Sequence, residues 1–362
     1  MPKNSLPEKK IVIDAYPIAS PYEGLGVFCK QIGERLGMRA AELRSRYNIG
    51  LYFILPPECK GCFGNDVHYL GVPLSLRFLL PFYPIRADLF HIPYQCNHIK
   101  SLFYAKKQLM TVHDINFIYE KSGKKLDKAV RKFEKKLKKS DYLEYISEFA
   151  KKDTEKHFGI HRPSKIIYNG ITDLPAIARD SCLPDGVPPK FLFHISSLMP
   201  KKNVDLLVEM MKYLPEENLL IVGNWSRKSG QTLYRKIQET NTGNIYTLPN
   251  VTEEEKAALY KACRAFLFPS LCEGFGMPPI EAMKFGKPVF LSTLTSLPEI
   301  GGDDAFYWKD LTPKAMAETV KERMAFFDAT PSYTEKIIKN ASRFNWDDCV
   351  EQYIRYYIEI IN

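Results

Sequence analysis

The stretch that decides the fold is Pro269-Ser-Leu-Cys-Glu-Gly-Phe-Gly-Met-Pro-Pro-Ile-Glu-Ala-Met-Lys-Phe-Gly-Lys-Pro288. The apolar run Ala265-Phe-Leu-Phe268 before it reads as a buried strand. Proline suits the first turn of a helix, so a short helix is expected to start near Pro278 or Pro279 and to stop at Gly286. The segment is therefore strand, glycine loop, helix. A helix N-terminus presents unpaired N–H groups and partial positive charge, which suits a phosphate. Glu273 and Glu281, eight residues apart, would add two carboxylates able to accept hydrogen bonds from sugar hydroxyls. Each residue taken singly also has an ordinary structural reading. Glu281 falls in a first helical turn, where the helix dipole alone favours a carboxylate, and a capping box would need Ser or Thr where Pro278 stands.

Outward from this segment the chain alternates strands and helices, the pattern of parallel sheets covered on both faces. Strands read at residues 10–14, 49–55, 88–92, 108–112, 142–146 and 165–168, then at 191–195, 219–222, 245–248, 265–268 and 289–291. Helices of the second series read at 204–213, 231–240, 253–262 and 280–285. The length of 362 residues suits two domains. Pro, Gly and Asp crowd residues 183–189, which read as a linker between an N-terminal domain, 1–182, and a C-terminal domain, 190–345. Residues 346–362 form an aromatic-rich amphipathic helix whose plain role is packing.

Three further motifs stand at strand ends. Leu198-Met-Pro-Lys-Lys-Asn203 sets two ammonium groups, Lys201 and Lys202, where they can neutralise a diphosphate leaving group. Thr111-Val-His-Asp114 ends a strand, and His113 there reads either as a satisfied structural histidine or as a site residue. Pro21-Tyr-Glu-Gly-Leu-Gly-Val-Phe28 links the first strand to the first helix; Cys29 stands where a dinucleotide fingerprint needs glycine or alanine, so Gly24 and Gly26 alone indicate no more than a tight turn.

Together these residues resemble the Glu-x7-Glu signature of retaining nucleotide-sugar glycosyltransferases of family 4, which includes many mannosyl- and glucosyltransferases. The resemblance runs from about residue 11 to 358 and is most specific in the second half. It implies the GT-B fold, an α/β architecture of two Rossmann-like domains facing a central cleft, the first taking the acceptor and the second the nucleotide sugar. It also implies that the terminal helix crosses back to the first domain. By this resemblance Glu281 binds the nucleotide ribose, Glu273 holds donor-sugar hydroxyls, and Lys201, Lys202 and the backbone of Gly276, Met277 and Pro278 contact the diphosphate. His113 lies near the transferred sugar, Asp114 orients His113 or a nearby loop, and Gly26, with Gly24, lies against the phosphates. The basic pair stands in a pattern, Gly-Thr-Leu-x-Pro-Arg-Lys-Asn, from which this chain departs at Ser196, Ser197 and Lys201.

The expected activity is transfer of a hexose, mannose from GDP-mannose foremost, to a saccharide or lipid-linked acceptor in polysaccharide or lipopolysaccharide synthesis. The alternative is a GT-B domain without catalysis that binds glycan or serves as a scaffold, for which the Ser196-Ser197 departure is the one hint. No cofactor is expected. No Asp-x-Asp motif is present to hold a metal on a diphosphate, so metal independence is the expectation.

Composition narrows the setting. A hydrophobic share of 45% and a charged share of 26% are those of a globular protein. No apolar h-region opens the chain and no apolar run is long enough to span a bilayer, which predicts a cytoplasmic protein. Eight scattered cysteines include one Cys-x-x-Cys pair, Cys59 and Cys62, without the second pair or histidines that zinc would need. The charge is uneven. Residues 1–189 hold 30 Lys and Arg against 20 Asp and Glu, whereas residues 190–362 hold 21 against 22. Most of the excess lies between Lys124 and Lys139, with nine basic and two acidic residues around the apolar stripe Leu126, Val130, Phe133 and Leu137. This helix reads either as a solvated face or as a contact for an anionic membrane at its inner leaflet. Nucleic acid is not expected as a partner, since no motif of that kind is present.

Overall fold

A computed structural model describes residues 7–19, 24–82, 85–95, 102 and 104–362. The chain divides into two compact units, one of Met1–Gly170 with Trp346–Asn362 and one of Ile171–Asn345.

The first unit runs β1 (Lys9–Asp14), α1 (Gly24–Met38), α2 (Ala40–Tyr47), β2 (Ile49–Leu55), β3 (His68–Gly71), β4 (Ala87–Ile92), β5 (Ala105–Val112), α3 (Phe117–Glu120), α4 (Gly123–Lys139), β6 (Tyr142–Tyr145), α5 (Glu148–Phe158) and β7 (Ser164–Ile166). All strands pair in parallel in the order β3-β2-β1-β4-β5-β6-β7. The chain moves outward from β1 to β3, then returns to β4 and moves the other way. Right-handed crossovers therefore put α1 and α2 on one face of the sheet and the β3–β4 connection, α4 and α5 on the other. Alternation along each strand feeds both faces: Ile11 and Ile13 pack under α1, whereas Val12 packs with Phe133 and Leu137 of α4.

In the second unit the order is α6 (Leu174–Ile177), β8 (Phe191–Ser196), α7 (Val204–Met210), β9 (Asn218–Gly223), α8 (Lys228–Thr240), β10 (Ile245–Leu248), α9 (Glu253–Ala262), β11 (Ala265–Phe268), α10 (Met277–Lys284), β12 (Val289–Ser292), α11 (Leu297–Gly301), β13 (Phe306–Trp308), α12 (Pro313–Asp328) and α13 (Tyr333–Ser342). Its parallel sheet is ordered β10-β9-β8-β11-β12-β13. Helix α9 starts at a capping box in which Thr252 and Glu255 satisfy each other's backbone N–H groups.

Helix α14 (Trp346–Ile361) belongs to the first unit, where Trp346, Val350, Tyr353 and Tyr357 join the core on the α1 face. Gly170 permits this, because a Cβ there would come within 2.5 Å of the Trp346 backbone and ring.

Several sequence expectations shift. The boundary falls at Gly170 rather than at residues 183–189, since residues 171–182 are held by the second unit: Lys284 donates to Ile171 O and Lys261 to Ala178 O. Gly24 and Gly26 lie inside the first turn of α1 and not in a loop; the preceding residues Pro21–Glu23 lie outside the described residues. Strands β3 and β13 were not read from sequence, being an edge strand of half-exposed residues and a three-residue aromatic run. Lys136, read as part of the basic remainder of α4, is buried, its Nζ donating to Gln95 O at 2.7 Å.

Candidate active site

In the second unit the strand order reverses between β8 and β11, the kind of position where ligands of open parallel sheets bind beyond the carboxyl ends of the strands. Residues 197–203 follow β8 and residues 269–276 follow β11. The two loops are joined. Leu271 N–H donates to Lys201 O at 2.8 Å, and Ser270 Oγ lies 3.1 Å from the same carbonyl.

At this junction Lys202 Nζ lies 2.5 Å from Glu273 Oε1, and Ser270 Oγ donates to that oxygen at 2.6 Å. The Lys202 ammonium also sits 5.0 Å from the centre of the Phe268 ring. The backbone of Glu273 is fixed from the β12–α11 loop: its N–H donates to Thr295 Oγ1 at 3.1 Å, and Ser296 Oγ donates to Phe275 O at 2.6 Å. Ser292 Oγ donates to Ser270 O at 2.5 Å. Ser292 and Thr295 were not singled out from sequence. Their signal was the run Ser292-Thr-Leu-Thr-Ser296 directly after an apolar strand.

Backbone strain gathers at the same place. Leu198, Asn203 and Thr295 have φ of 54°, 57° and 57°, and Gly276 has φ of 118°. A β-branched residue in the left-handed region costs on the order of 1–3 kcal/mol. At Thr295 that conformation accompanies a hydroxyl turned to the Glu273 amide. Only glycine fits at 276, where a Cβ would come 2.5 Å from Ile300 Cδ1.

Helix α10 begins at Met277, so Glu281 is its fifth residue and not in the first turn; the helix dipole does not explain it. Glu281 instead accepts from Tyr260 Oη at 2.9 Å and Lys256 Nζ at 3.2 Å, both on α9. Burial opposes the charge on Lys256, but the carboxylates of Glu281 and Glu253 outweigh it and raise its pKa. The Tyr260 phenol is pushed up by burial and by Glu281, so it remains a donor. The Glu281 carboxylate keeps lone pairs for further donors. Pro278, read as part of the phosphate-binding backbone, has no N–H; the amides that α10 offers there are those of Gly276 and Met277.

Ser196, one departure from the family pattern, has a structural use. Its Oγ lies 2.8 Å from His194 Nε2 and accepts the Leu198 N–H at 3.1 Å. His194 Nδ1 is 2.8 Å from Leu267 O, and burial lowers its pKa to about 4.

In the first unit His113 follows β5. Its Nε2–H donates to Pro93 O at 2.9 Å, its backbone N–H donates to Gln95 Oε1 at 3.1 Å, and the Phe28 ring stands edge-on at 4.8 Å. Burial lowers the His113 pKa to about 4, partly offset by the bond to Pro93, so near neutral pH the ring is uncharged with Nδ1 as an acceptor. Asp114 Oδ1 accepts the Asn116 N–H at 3.0 Å, which shapes the turn after the strand, while Asp114 O accepts from Gln95 Nε2 at 2.8 Å. Gln95 thus holds the end of β5 from both sides, and sequence reading missed it. Gly26 is buried and Gly24 exposed in the first turn of α1. Among the described residues no cluster of three His, Cys, Asp or Glu could hold a metal ion, and no helix is long and apolar enough to cross a membrane.

Residues 184–344, which fall wholly within the second unit, match the family described as "Glycosyl transferases group 1". Among curated proteins, the chain is 30% identical over 172 residues to O-antigen chain mannosyltransferase B of Escherichia coli, covering 46% of this chain and 45% of that one. It is 23% identical over 258 residues to O-antigen chain mannosyltransferase RfbU of Salmonella typhimurium, covering 70% of each. The matched stretch thus spans less than half the length of the first of these relatives. Among solved structures, HepE of Anabaena in complex with UDP and glucose superposes with a TM-score of 0.71 at 16% identity, over 97% of this chain and 100% of that one. The chain accordingly has the GT-B fold of two parallel-sheet Rossmann-like domains, and its second domain matches the group 1 glycosyl transferases.

Proposed function

We propose that the protein is a retaining glycosyltransferase of family 4 that transfers a hexose, mannose from GDP-mannose, to a saccharide or lipid-linked acceptor in polysaccharide synthesis. The observation that carries this reading is the Lys202–Glu273 pair at the strand-order reversal, beside the N-terminus of α10. A diphosphate entering there meets the Lys202 ammonium and the amides of Gly276 and Met277, with Lys201 adjacent. Glu273 then accepts from hydroxyls of the donor sugar, and Glu281, held by Tyr260 and Lys256, accepts from the ribose. As the bond from the sugar C1 to the diphosphate oxygen breaks and C1 bonds to the acceptor hydroxyl oxygen, whose proton passes to the departing diphosphate, negative charge grows on the leaving group and positive charge on the ring. Stabilising the leaving charge is the largest catalytic contribution, and no metal is required for it in this scheme. The names of the two O-antigen mannosyltransferases support mannose, and the UDP and glucose bound by HepE support a nucleotide-sugar donor.

His113, neutral and held by Pro93, serves to position the transferred sugar through Nδ1, and the first unit takes the acceptor. The exposed lysines and arginine of α4 meet an anionic membrane surface, at roughly 1 kcal/mol for each basic side chain near the surface. A panel of nucleotide sugars, read by release of nucleoside diphosphate, tests the activity. Turnover of GDP-mannose above the others supports the reading, and no turnover of any donor in the presence of mannosylated acceptors contradicts it.

A further inference from the structure

The basic helix does not stand alone on its face of the first unit. The β3–β4 connection has to cross β2 and β1, and right-handed crossing puts it on the same side of the sheet as α4. The packing agrees: Val72 and Ile85, which flank the connection, join one core cluster with Phe133 and Leu137 of α4. Between those anchors lies a 3-10 segment, Leu74–Phe82, with sequence LSLRFLLPF. Leu74, Leu76, Leu79 and Phe82 are 70%, 47%, 47% and 68% exposed, four large apolar side chains facing water within nine residues. Scattered apolar side chains on a surface are ordinary, whereas such a density on one short segment marks a contact.

Helix α4 supplies the matching charge. Lys124, Lys128, Arg131, Lys132, Lys135 and Lys139 are exposed, while Glu134 is taken by Lys138. An apolar segment on the same sheet face as a cationic helix is the chemistry of an anionic bilayer surface, where apolar side chains enter the acyl boundary and ammonium groups meet headgroups. We infer that the Leu74–Phe82 segment inserts into an anionic lipid surface and that α4, on the same sheet face, docks with it, so that this face of the first unit seats the protein on the membrane. This rests on the reading of α4 as a membrane contact and adds to it an insertion that salt does not screen.

The test uses the full chain with vesicles of phosphatidylglycerol and phosphatidylethanolamine, and with neutral phosphatidylcholine vesicles. A Leu74→Trp variant reports insertion, Leu76→Ser with Leu79→Ser removes the apolar side chains, and Lys128→Glu with Lys132→Glu and Lys135→Glu reverses the charge. The account expects the indole emission of Leu74→Trp to shift to the blue with anionic vesicles. Part of the binding should persist in about 1 M salt, where charges are screened beyond about 3 Å, and the serine variant should lose about tenfold or more in partitioning at either salt level. Salt-sensitive binding with no emission shift, and a serine variant that binds like the parent, would overturn the insertion while leaving the charge reading of α4 intact. An equal shift with neutral vesicles and unchanged binding of the glutamate variant would overturn the pairing of the two elements. Association of the chain with itself that the serine substitutions abolish, seen by light scattering without vesicles, would assign the face to a second copy and overturn the inference.

Discussion

Lys202 Nζ and Glu273 Oε1 lie 2.5 Å apart with side chains 13% and 12% exposed, a nearly desolvated ion pair at the point where the second sheet reverses its strand order. Without a donor each group answers the other's charge. In the proposed reaction a diphosphate arriving at this pair would compete for the lysine and leave the carboxylate open to sugar hydroxyls. Glu273→Gln keeps the shape and removes the charge, so it is expected to lower kcat by about 30- to 1000-fold, or roughly 2–4 kcal/mol, with little change in donor KM. Steady-state kinetics decides this, and full activity in that variant would remove Glu273 from the mechanism.

Lys202→Ala should behave differently. It strands a buried carboxylate, so both donor affinity and the melting temperature of the second unit should fall; breaking such a pair from one side costs about 3–5 kcal/mol where burial is complete, less here. Calorimetry beside donor titration separates the two effects. A variant as stable as the parent would mean that the pair carries no structural weight.

Glu281 is held by Tyr260 and Lys256 on α9, which fixes the direction its remaining lone pairs face. Glu281→Ala is expected to weaken nucleoside diphosphate binding by about tenfold or more, and Tyr260→Phe by a smaller factor, since it removes one orienting hydrogen bond of about 1 kcal/mol. Calorimetric titration with GDP measures both. Equal affinity in all three proteins would dissociate Glu281 from the nucleotide.

The His113 pKa, lowered by burial to about 4 from an ordinary 6.5, predicts a pH–rate profile with no inflection between pH 6 and 7 from this group. The sign for stability follows from the same depression. His113 is neutral in the fold, so it contributes stability above pH 6.5 that is lost as pH falls towards 4. An acid limb near pH 6.5 that disappears in His113→Gln would show a charged imidazole in the working enzyme.

Glu144 behaves in the opposite sense. It is fully buried on β6, opposite Thr111, and accepts from Tyr353 Oη of α14 at 2.6 Å. Burial raises its pKa from 4.5 to about 8, with the hydrogen bonds from Tyr353 and Thr111 opposing. A raised carboxyl pKa means that stability is fully present below pH 4.5 and declines as pH rises through about 8, by several kcal/mol in all. Glu144→Gln should flatten the decline in denaturant midpoint over that range, and an unchanged slope would mean that another group sets it.

The alternation of apolar runs and helical periods in the sequence shows the two parallel sheets, because buried parallel strands are continuous apolar segments such as Ala265–Phe268. Strands β3 and β13 escaped because an edge strand and a three-residue strand lack such runs. Glu273, Glu281 and Lys202 stand out by their spacing from strand ends, and the structure gives each a specific partner. Thr295 and Gln95 do not stand out, since nothing in a lone hydroxyl or amide shows which distant backbone it will bond. The unit boundary was misplaced for a related reason. Residues 183–189 have the composition of a linker, but the division follows the contacts that residues 171–182 make with α9 and α10.

The central claim is that the second unit binds a nucleotide sugar and that its sugar is transferred with retained configuration and without a metal. The most direct measurement is proton NMR of the product formed from GDP-mannose and a mannosylated acceptor, with and without EDTA. The account predicts an α-linked mannoside formed at the same rate in both samples. A β-linked product, or a rate abolished by EDTA and restored by a divalent cation, would contradict it.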